Sequence, residues 1–421
     1  MARRRKIRRD RHNFSRRRRV SFPWKGVGAA LVLAILCGLG VLTAKWIGSG
    51  LSRQSTAQDA KTTTTATVAV STAAPTTTTT VAPTAQVPSL KDVHGCYLPT
   101  STLLDKTARE ARVKTAVEQG LNAVIFDLKN AEGTVYYASK TAGAKKAKCV
   151  AKKALSADDL KAFVAFCEKE GVLAIPRLCC FEDPTAAYEM DDARVLYAQD
   201  ASFIWLDNTK AHGGKPWLNP YSPEAHAYLQ GYVTELVGLG LKNVMLTGVQ
   251  FPYQTYAASF GSTKYSSLSK LKVLSTFVTD TKKAAKKVDA DASVILCVPA
   301  LATFSDTTAV YGGNPLNFGA DAVAPLLFPD SLGDKLTVGK EILRDPASKP
   351  QKAVELALKQ TALRVKLLDK AKQPLLLPLL QAYDLADTAV AGELKALRAQ
   401  NGDNAAFVLY NPDGTYPAKS Y

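Results

Sequence analysis

Charged residues whose types and spacing could support acid–base chemistry follow two apolar segments of the sequence. One apolar run leads into Asp127 and Lys129, and Glu132 follows three residues further on. Another apolar run leads into Arg177, and Asp183 follows it by six residues. Side chains alternate along a strand, so we expect Asp127 and Lys129 on one face. The carboxyl groups could act as general acids and bases or bind hydroxyl groups. Alternatively, Asp127, Lys129 and Arg177 form an internal charge cluster. We take Asp127, Glu132 and Asp183 as candidate catalytic residues.

A second group of candidate residues combines aromatic rings with amides and cations. Many of them lie in residues 181–221, a segment too long for a simple turn, and in residues 250–256. Aromatic faces stack on the C–H faces of sugars, while amides and charged groups bond sugar hydroxyls. Each ring taken singly is more typical of core or rim packing than of ligand contact, but their recurrence after several apolar runs favours a binding surface. The predicted substrate-binding residues are Lys129, Arg177, Trp205, Trp217, Asn219, Tyr221, Gln250, Tyr253, Gln381 and Asn411.

Eight short apolar runs alternate with amphipathic segments that would position these residues. Near-continuous apolar runs are typical of parallel strands covered on both faces. Strands are predicted at 93–98, 123–129, 173–178, 243–247, 293–298, 322–327, 375–380 and 406–410, and helices at 108–119, 157–170, 223–237, 268–287, 351–370 and 385–400.

This alternation predicts an α/β fold, a (β/α)8 TIM barrel whose active site would lie at the carboxyl ends of the strands. An open, doubly wound sheet is the alternative. No Gly-x-Gly-x-x-Gly or Walker loop opens any of the predicted helices, which disfavours that alternative.

The basic charge of the chain is concentrated in an N-terminal tail. Of the net charge of +17, the first 25 residues contribute +11, from 12 Arg and Lys against one Asp. The rest of the chain is only mildly basic, so nucleic acid is not a predicted partner. An uncharged run at 26–44 follows, long enough at about 28 Å to cross a bilayer core. We predict a transmembrane helix at 26–46 with the N-terminus cytoplasmic; a cleaved signal peptide is the alternative.

Residues 47–90 are rich in Thr, Ala and Pro and are predicted to form a disordered linker. The remaining residues, 91–421, form the predicted barrel domain. The predicted location is therefore the cell membrane, with a single span and an extracellular C-terminal domain. The seven cysteines and four histidines show no metal-ligand spacing, so no metal or cofactor is predicted. Cys149 and Cys167 could form a disulfide.

Short blocks between residues 93 and 412 resemble a family of glycoside hydrolase-like barrels of bacterial surface proteins, long carried as a domain of unknown function. The most specific block is Asn-Ala-Val-Ile-Phe-Asp-Leu-Lys at 122–129; the others lie at 95–98, 174–177, 181–184, 217–222, 251–252, 325–329, 380–381 and 411–412. The resemblance implies a sugar-acting barrel whose partner is a polysaccharide or cell-wall glycan.

Three positions depart from the pattern of that family. Thr247 and Gln250 stand where the family carries Asp and Arg at the fourth strand, and Asn219 stands where it tends to carry Asp. Glycoside hydrolysis normally needs two carboxyl groups, and threonine cannot replace either of them. Two functions therefore remain open: a surface glycosidase that uses Asp127 with another carboxyl group, or a degenerate barrel that binds glycan without cleaving it or serves as an envelope scaffold.

Overall fold

The computed structural model describes residues 86–253 and 257–417 of the 421-residue chain. The predicted cytoplasmic tail, the predicted membrane helix and most of the predicted linker lie outside these ranges. Within them, none of the helices is both long enough and apolar enough to cross a bilayer.

Eight parallel strands pair in sequence order, and the last pairs with the first, so the sheet closes into a barrel. The predicted (β/α)8 fold is confirmed, and the open sheet is excluded. Pro378, which has no backbone N–H, separates the seventh barrel strand from a two-residue strand at Leu375–Leu376. The barrel strands are β1 (His94–Leu98), β2 (Ala123–Lys129), β3 (Leu173–Cys179), β4 (Asn243–Thr247), β5 (Ser293–Pro299), β6 (Ala322–Leu327), β7 (Leu379–Gln381) and β8 (Phe407–Tyr410).

Six longer helices follow strands and cover the barrel close to the predicted positions. The helix that begins at Ala157 is preceded by Ser156, which forms a capping box with Asp159, and the helix that begins at Pro223 is preceded by Ser222, whose hydroxyl accepts from the Ala225 N–H. The helix predicted at 223–237 ends at Gly238, one residue later, and Gly240 beyond it takes the left-handed conformation. The helices are α1 (Lys106–Glu118), α2 (Ala157–Lys169), α3 (Pro223–Gly238), α4 (Lys270–Val288), α5 (Pro350–Lys366) and α6 (Asp387–Asn401).

Two apolar layers form the core, one inside the barrel and one between the strands and the helices. Inward residues such as Ile125, Ile175 and Met245 alternate with outward ones, as the strand period requires. Leu90 packs against the inner layer, although it was predicted to lie in the linker. The packed structure therefore begins before the predicted boundary at residue 91.

The connections at the carboxyl ends of the strands carry additional structure. After β3, a segment containing a short helix at Pro184–Glu189 pairs a strand at Leu196–Tyr197 with a strand at Ala258–Ser259, which follows β4. All six cysteines in the described residues are buried and free, so the possible Cys149–Cys167 disulfide is not formed.

Candidate functional site

The open end of the barrel at the carboxyl ends of the strands, here called the mouth, contains an ion pair between β2 and β3. Arg177 donates to both carboxylate oxygens of Asp127, from Nε at 2.6 Å and from a terminal nitrogen at 2.8 Å. The Tyr97 hydroxyl donates to the same carboxylate at 2.8 Å. The predicted contact between Asp127 and Arg177 is thus confirmed, and it follows from their direct pairing on adjacent strands.

Two tyrosine rings enclose the Arg177 guanidinium group. Its central carbon lies 5.0 Å from the centre of the Tyr97 ring and 5.1 Å from that of Tyr410, within the range of cation–π attraction. Burial alone would lower the pKa of Arg177, but the Asp127 carboxylate outweighs it and raises the pKa. Burial and the same carboxylate also raise the pKa of Tyr97. Asp127 therefore lies against a permanent cation and a neutral phenol.

An aromatic cluster of Tyr97, Phe328, Tyr383 and Tyr410 packs at the mouth beside this ion pair; Tyr97 and Phe328 are buried, whereas Tyr383 and Tyr410 are partly exposed. The Tyr410 ring lies 4.8 Å from Tyr97 and is stacked on Phe328 at 5.4 Å, while Tyr383 meets Phe328 edge-on at 5.8 Å. These residues come from the ends of β1, β6, β7 and β8. Tyr97 and Tyr410 are not among the predicted binding residues, although both occupy inward positions in the period-two pattern of their strands.

Asp330, in the turn after β6, brings a second carboxyl group to the aromatic cluster. The Tyr383 hydroxyl donates to its Oδ2 at 2.9 Å. Burial and the neighbouring Asp384 raise the pKa of Asp330, although the Tyr383 bond opposes them. This carboxyl group therefore keeps its proton to higher pH than an ordinary aspartate.

Glu182 provides a third carboxyl group at this end of the barrel and is not among the predicted site residues. Its Cβ lies beside Gly248, the residue that follows β4. Burial raises the pKa of Glu182; Lys215 opposes this, whereas Asp207 and Glu132 reinforce it. Glu132 itself is exposed and paired with Lys215. Of the predicted catalytic residues, Glu132 thus lies on the rim of the barrel and Asp127 lies in the mouth.

Asp183, the third predicted catalytic residue, is buried away from the mouth. Its Oδ2 lies 2.8 Å from the Nζ of Lys129, and both side chains have 0% exposure. Lys129 also donates to the Cys179 carbonyl at 2.6 Å, and the Tyr228 hydroxyl donates to Asp183 at 2.9 Å. This is a satisfied ion pair that joins β2 to the segment after β3, with Tyr228 of α3 bonded to its carboxylate. We therefore remove both residues from the candidate site.

An irregularity in β2 explains why Lys129 does not face the mouth as predicted. Asp127 pairs with Arg177, but Lys129 pairs with the next residue, Leu178, so one extra residue is inserted between them. Lys129 therefore points outward, towards α3. Gly133 covers the ion pair: its φ is +82°, and a Cβ there would lie 2.0 Å from Asp183 Oδ1. Only glycine fits at this position.

Most of the predicted binding residues of the long loops are also buried. Trp205 and Trp217 are 2% and 3% exposed, and the Trp217 indole donates to Asp207 at 3.1 Å. Asn219 donates to the Phe260 carbonyl, and Gln250 accepts from the Tyr311 hydroxyl. The two indole rings pack in the main apolar core and the two amides bond groups inside the protein, so none of these four side chains is offered to a ligand at the mouth.

The four remaining predicted residues differ in exposure. Gln381 and Asn411 are buried, and their side chains bond the backbone around the mouth. Tyr221 is partly buried against Phe251 and donates to a backbone carbonyl. Only Tyr253 is well exposed, at 58%. Within residues 86–253 and 257–417, no three His, Cys, Asp or Glu side chains are grouped so that they could hold a metal ion.

A fully buried carboxyl group on α6 lies behind the mouth and supplies a pH test of the structure. Burial raises the pKa of Glu393 well above its ordinary value of 4.5; the backbone of Gln381 opposes this rise and nearby Asp330 reinforces it. A group with a raised pKa in the folded state stabilises the fold at acidic pH, and this stability is lost as the pH rises.

We therefore expect Glu393→Gln to remove part of the pH dependence of unfolding. Above about pH 4.5, the native protein should lose up to about 1.4 kcal/mol per pH unit relative to this variant. Urea unfolding of both proteins between pH 4.5 and 8.5 measures the difference. A constant difference across this range would contradict the protonated, buried state of Glu393.

The closed barrel with charged and aromatic groups at the carboxyl ends of its strands defines the class of (β/α)8 proteins whose sites lie at the mouth. Residues 95–416 match the model of the family described as "Putative glycosyl hydrolase domain". The chain belongs to this family, and the resemblance stated from its sequence is confirmed.

Solved structures and curated proteins were also compared with the chain. A hypothetical protein from Ruminiclostridium thermocellum ATCC 27405 is 22% identical over 45% of this chain and 92% of its own, with a TM-score of 0.39. The catalytic domain of a beta-amylase from Paenibacillus polymyxa is 10% identical over 78% and 96%, with a TM-score of 0.47. An Anoxybacillus alpha-amylase is 13% identical over 77% and 71%, with a TM-score of 0.44. No curated protein matched. The family match alone carries the assignment.

Proposed function

We propose that this protein binds a polysaccharide at the mouth of its barrel, outside the cell. The observation that carries the proposal is the aromatic cluster around the Asp127–Arg177 pair. A tyrosine ring can stack on the C–H face of a sugar, while Asp127, Arg177 and Asp330 offer directed bonds to its hydroxyls. This mixture of apolar surface and few polar groups is typical of ligand sites.

Hydrolysis is the second candidate function, and the raised pKa of Asp330 favours it. A glycosidase needs one protonated and one ionised carboxyl group, and these are found where environments push the two pKa values apart. Asp330 would donate the proton to the leaving group, and Asp127, held by Arg177, would act as base or nucleophile. Thr247 at the end of β4 contributes neither role.

A panel of polysaccharides and their tetrasaccharides tests both functions on the purified full-length chain. The panel contains chitin, cellulose, β-1,3-glucan, starch and peptidoglycan, with binding measured by calorimetry and sedimentation and hydrolysis measured by released reducing ends. We expect at least one tetrasaccharide to bind, and Tyr383→Ala to weaken that binding. The absence of binding to every member at millimolar tetrasaccharide would refute the glycan-binding proposal.

Two carboxyl variants separate hydrolysis from binding alone. General acid catalysis contributes about 10²- to 10⁴-fold, so Asp330→Asn should lower turnover by at least about 100-fold if Asp330 is the acid. Glu182→Gln is the matched comparison, because Glu182 is another carboxyl group with a raised pKa. Activity should also fall as the pH rises through the raised pKa of the acid. No turnover by the native protein leaves binding as the function.

We further propose that residues 26–46 anchor the barrel in the cell membrane with residues 1–25 in the cytoplasm. The basic tail before the apolar run supports this orientation. Protease treatment of intact cells should release the barrel and leave an epitope tag at the N-terminus protected. Protection of the barrel instead would contradict the proposed topology.

A further inference from the structure

Two exposed aromatic rings lie opposite each other on a short hairpin, residues 196–204, in the segment after β3. Leu196 pairs antiparallel with Ile204, and the Tyr197 N–H donates to the Phe203 carbonyl at 2.9 Å. Opposite residues of an antiparallel pair project from the same face. Tyr197 is 38% exposed and Phe203 is 62% exposed. We name residues 196–204 the aromatic hairpin.

The aromatic hairpin is held on three sides. Tyr197 pairs with Ala258 of the strand that follows β4, and the Ala198 N–H donates to the Ala257 carbonyl at 2.7 Å. Beyond the hairpin, the buried Trp205 donates its backbone N–H to Val195. Asp200 closes the turn by accepting from both the N–H and the hydroxyl of Ser202. Because these contacts fix the backbone, the two rings are presented with little ordering cost on binding.

The size and surroundings of this surface favour a sugar chain over a protein. Two rings fall short of the patches of about 300–600 Å² that mark interaction sites, and far short of the roughly 1,000 Å² that a stable protein interface buries. The exposed Gln199, two residues beyond Tyr197 in the same hairpin, brings an amide group to this part of the surface. A pyranose ring matches such a small surface, with its C–H face on the rings and its hydroxyls towards solvent and the amide.

The aromatic hairpin also lies on the same end of the barrel as the mouth, because it follows β3 and is tied to the segment after β4. We propose that the aromatic hairpin is a second carbohydrate-binding surface, which holds a distant part of a polysaccharide whose other part occupies the mouth. This proposal rests on glycan binding at the mouth. It predicts that the hairpin contributes to the binding of long chains and not to the binding of short ones.

The double variant Tyr197→Ala/Phe203→Ala tests the proposal in the full-length chain. We expect its affinity for the insoluble polysaccharide of the panel that the native protein binds to fall at least tenfold. Its affinity for the corresponding tetrasaccharide should stay within twofold of the native value. The matched control is Ile342→Ala/Leu367→Ala, which truncates two apolar residues of similar exposure, 60% and 74%, elsewhere on the surface.

Two further variants distinguish stacking from a general apolar contact. Phe203→Tyr keeps a ring and should retain polymer binding, whereas Tyr197→Leu/Phe203→Leu keeps apolar surface without rings and should lose it. Unchanged polymer binding by the alanine variant, with the tetrasaccharide still bound, would overturn this inference and leave glycan binding at the mouth intact. Retained polymer binding by the leucine variant would also overturn it. Failure of the native protein to bind any member of the panel would overturn both.

Discussion

Replacing Asp183 by asparagine is expected to lower the free energy of unfolding by about 3 to 5 kcal/mol, the largest change that we predict for a single substitution. The reason is the partner left behind: the Lys129 ammonium, with 0% exposure, loses the carboxylate 2.8 Å away and retains the Cys179 carbonyl. The loss is measured by urea unfolding at pH 7, followed by circular dichroism.

Two control variants fix the interpretation of this loss. Glu132→Gln breaks the exposed pair with Lys215 and should cost less than about 1 kcal/mol, since water screens such pairs. Lys129→Met combined with Asp183→Leu removes both charges and should recover much of the stability. If Asp183→Asn costs no more than Glu132→Gln, Lys129 must be able to reach water, and the buried pair would be disproved.

Asp127→Asn should weaken binding of a tetrasaccharide at the mouth at least tenfold and abolish any hydrolysis. Arg177 holds both oxygens of the Asp127 carboxylate, and asparagine preserves only one acceptor for it. The released guanidinium group would turn from its place between Tyr97 and Tyr410 and disturb the aromatic cluster. The cost in stability should be about 1 to 3 kcal/mol, as for a lost hydrogen bond to a charged group.

Measurements of affinity and stability on the same sample separate the roles of Asp127. Glu132→Gln again serves as the control, because it neutralises an exposed carboxyl group on the rim and should leave tetrasaccharide affinity unchanged. A loss of stability without a loss of affinity would assign Asp127 to the barrel wall alone. A loss of turnover with stability and tetrasaccharide affinity both unchanged would assign Asp127 to the hydrolysis reaction.

The fold could be predicted from the sequence because its signals are local and repeated. Each apolar run is the length of one strand, and the serines and glycines at the helix ends act within one turn. Pro378 interrupts the predicted seventh strand because it has no backbone N–H to donate, but the order of the strands in the barrel is unchanged. Helix ends show the limit of such signals: Gly238 and Gly240 are equally good stop signals, and α3 includes the first, while the chain takes the left-handed conformation only at the second.

Sequence patterns predict those contacts of the site that depend only on the alignment of neighbouring strands. Asp127 and Arg177 meet because parallel strands align their ends, which the order of the segments already implies. The burial of Trp205 and Trp217 depends on how the segment after β3 folds on itself, and no periodic pattern encodes this. Strand alternation does identify Tyr410 as an inward residue, because it lies two positions after the inward Val408, and the same alternation identifies Tyr97 in β1.

The extra residue in β2 has a consequence for how this protein can change. It assigns two opposite-charge pairs to the two sides of one wall, Asp127 with Arg177 inside the barrel and Lys129 with Asp183 outside it. Sites without shared partners give nearly additive energies. The effects of Asp127→Asn and Asp183→Asn should therefore sum within about 0.5 kcal/mol. A mouth that is energetically independent of its support can accept new specificities, by selection or by design, without unfolding the scaffold.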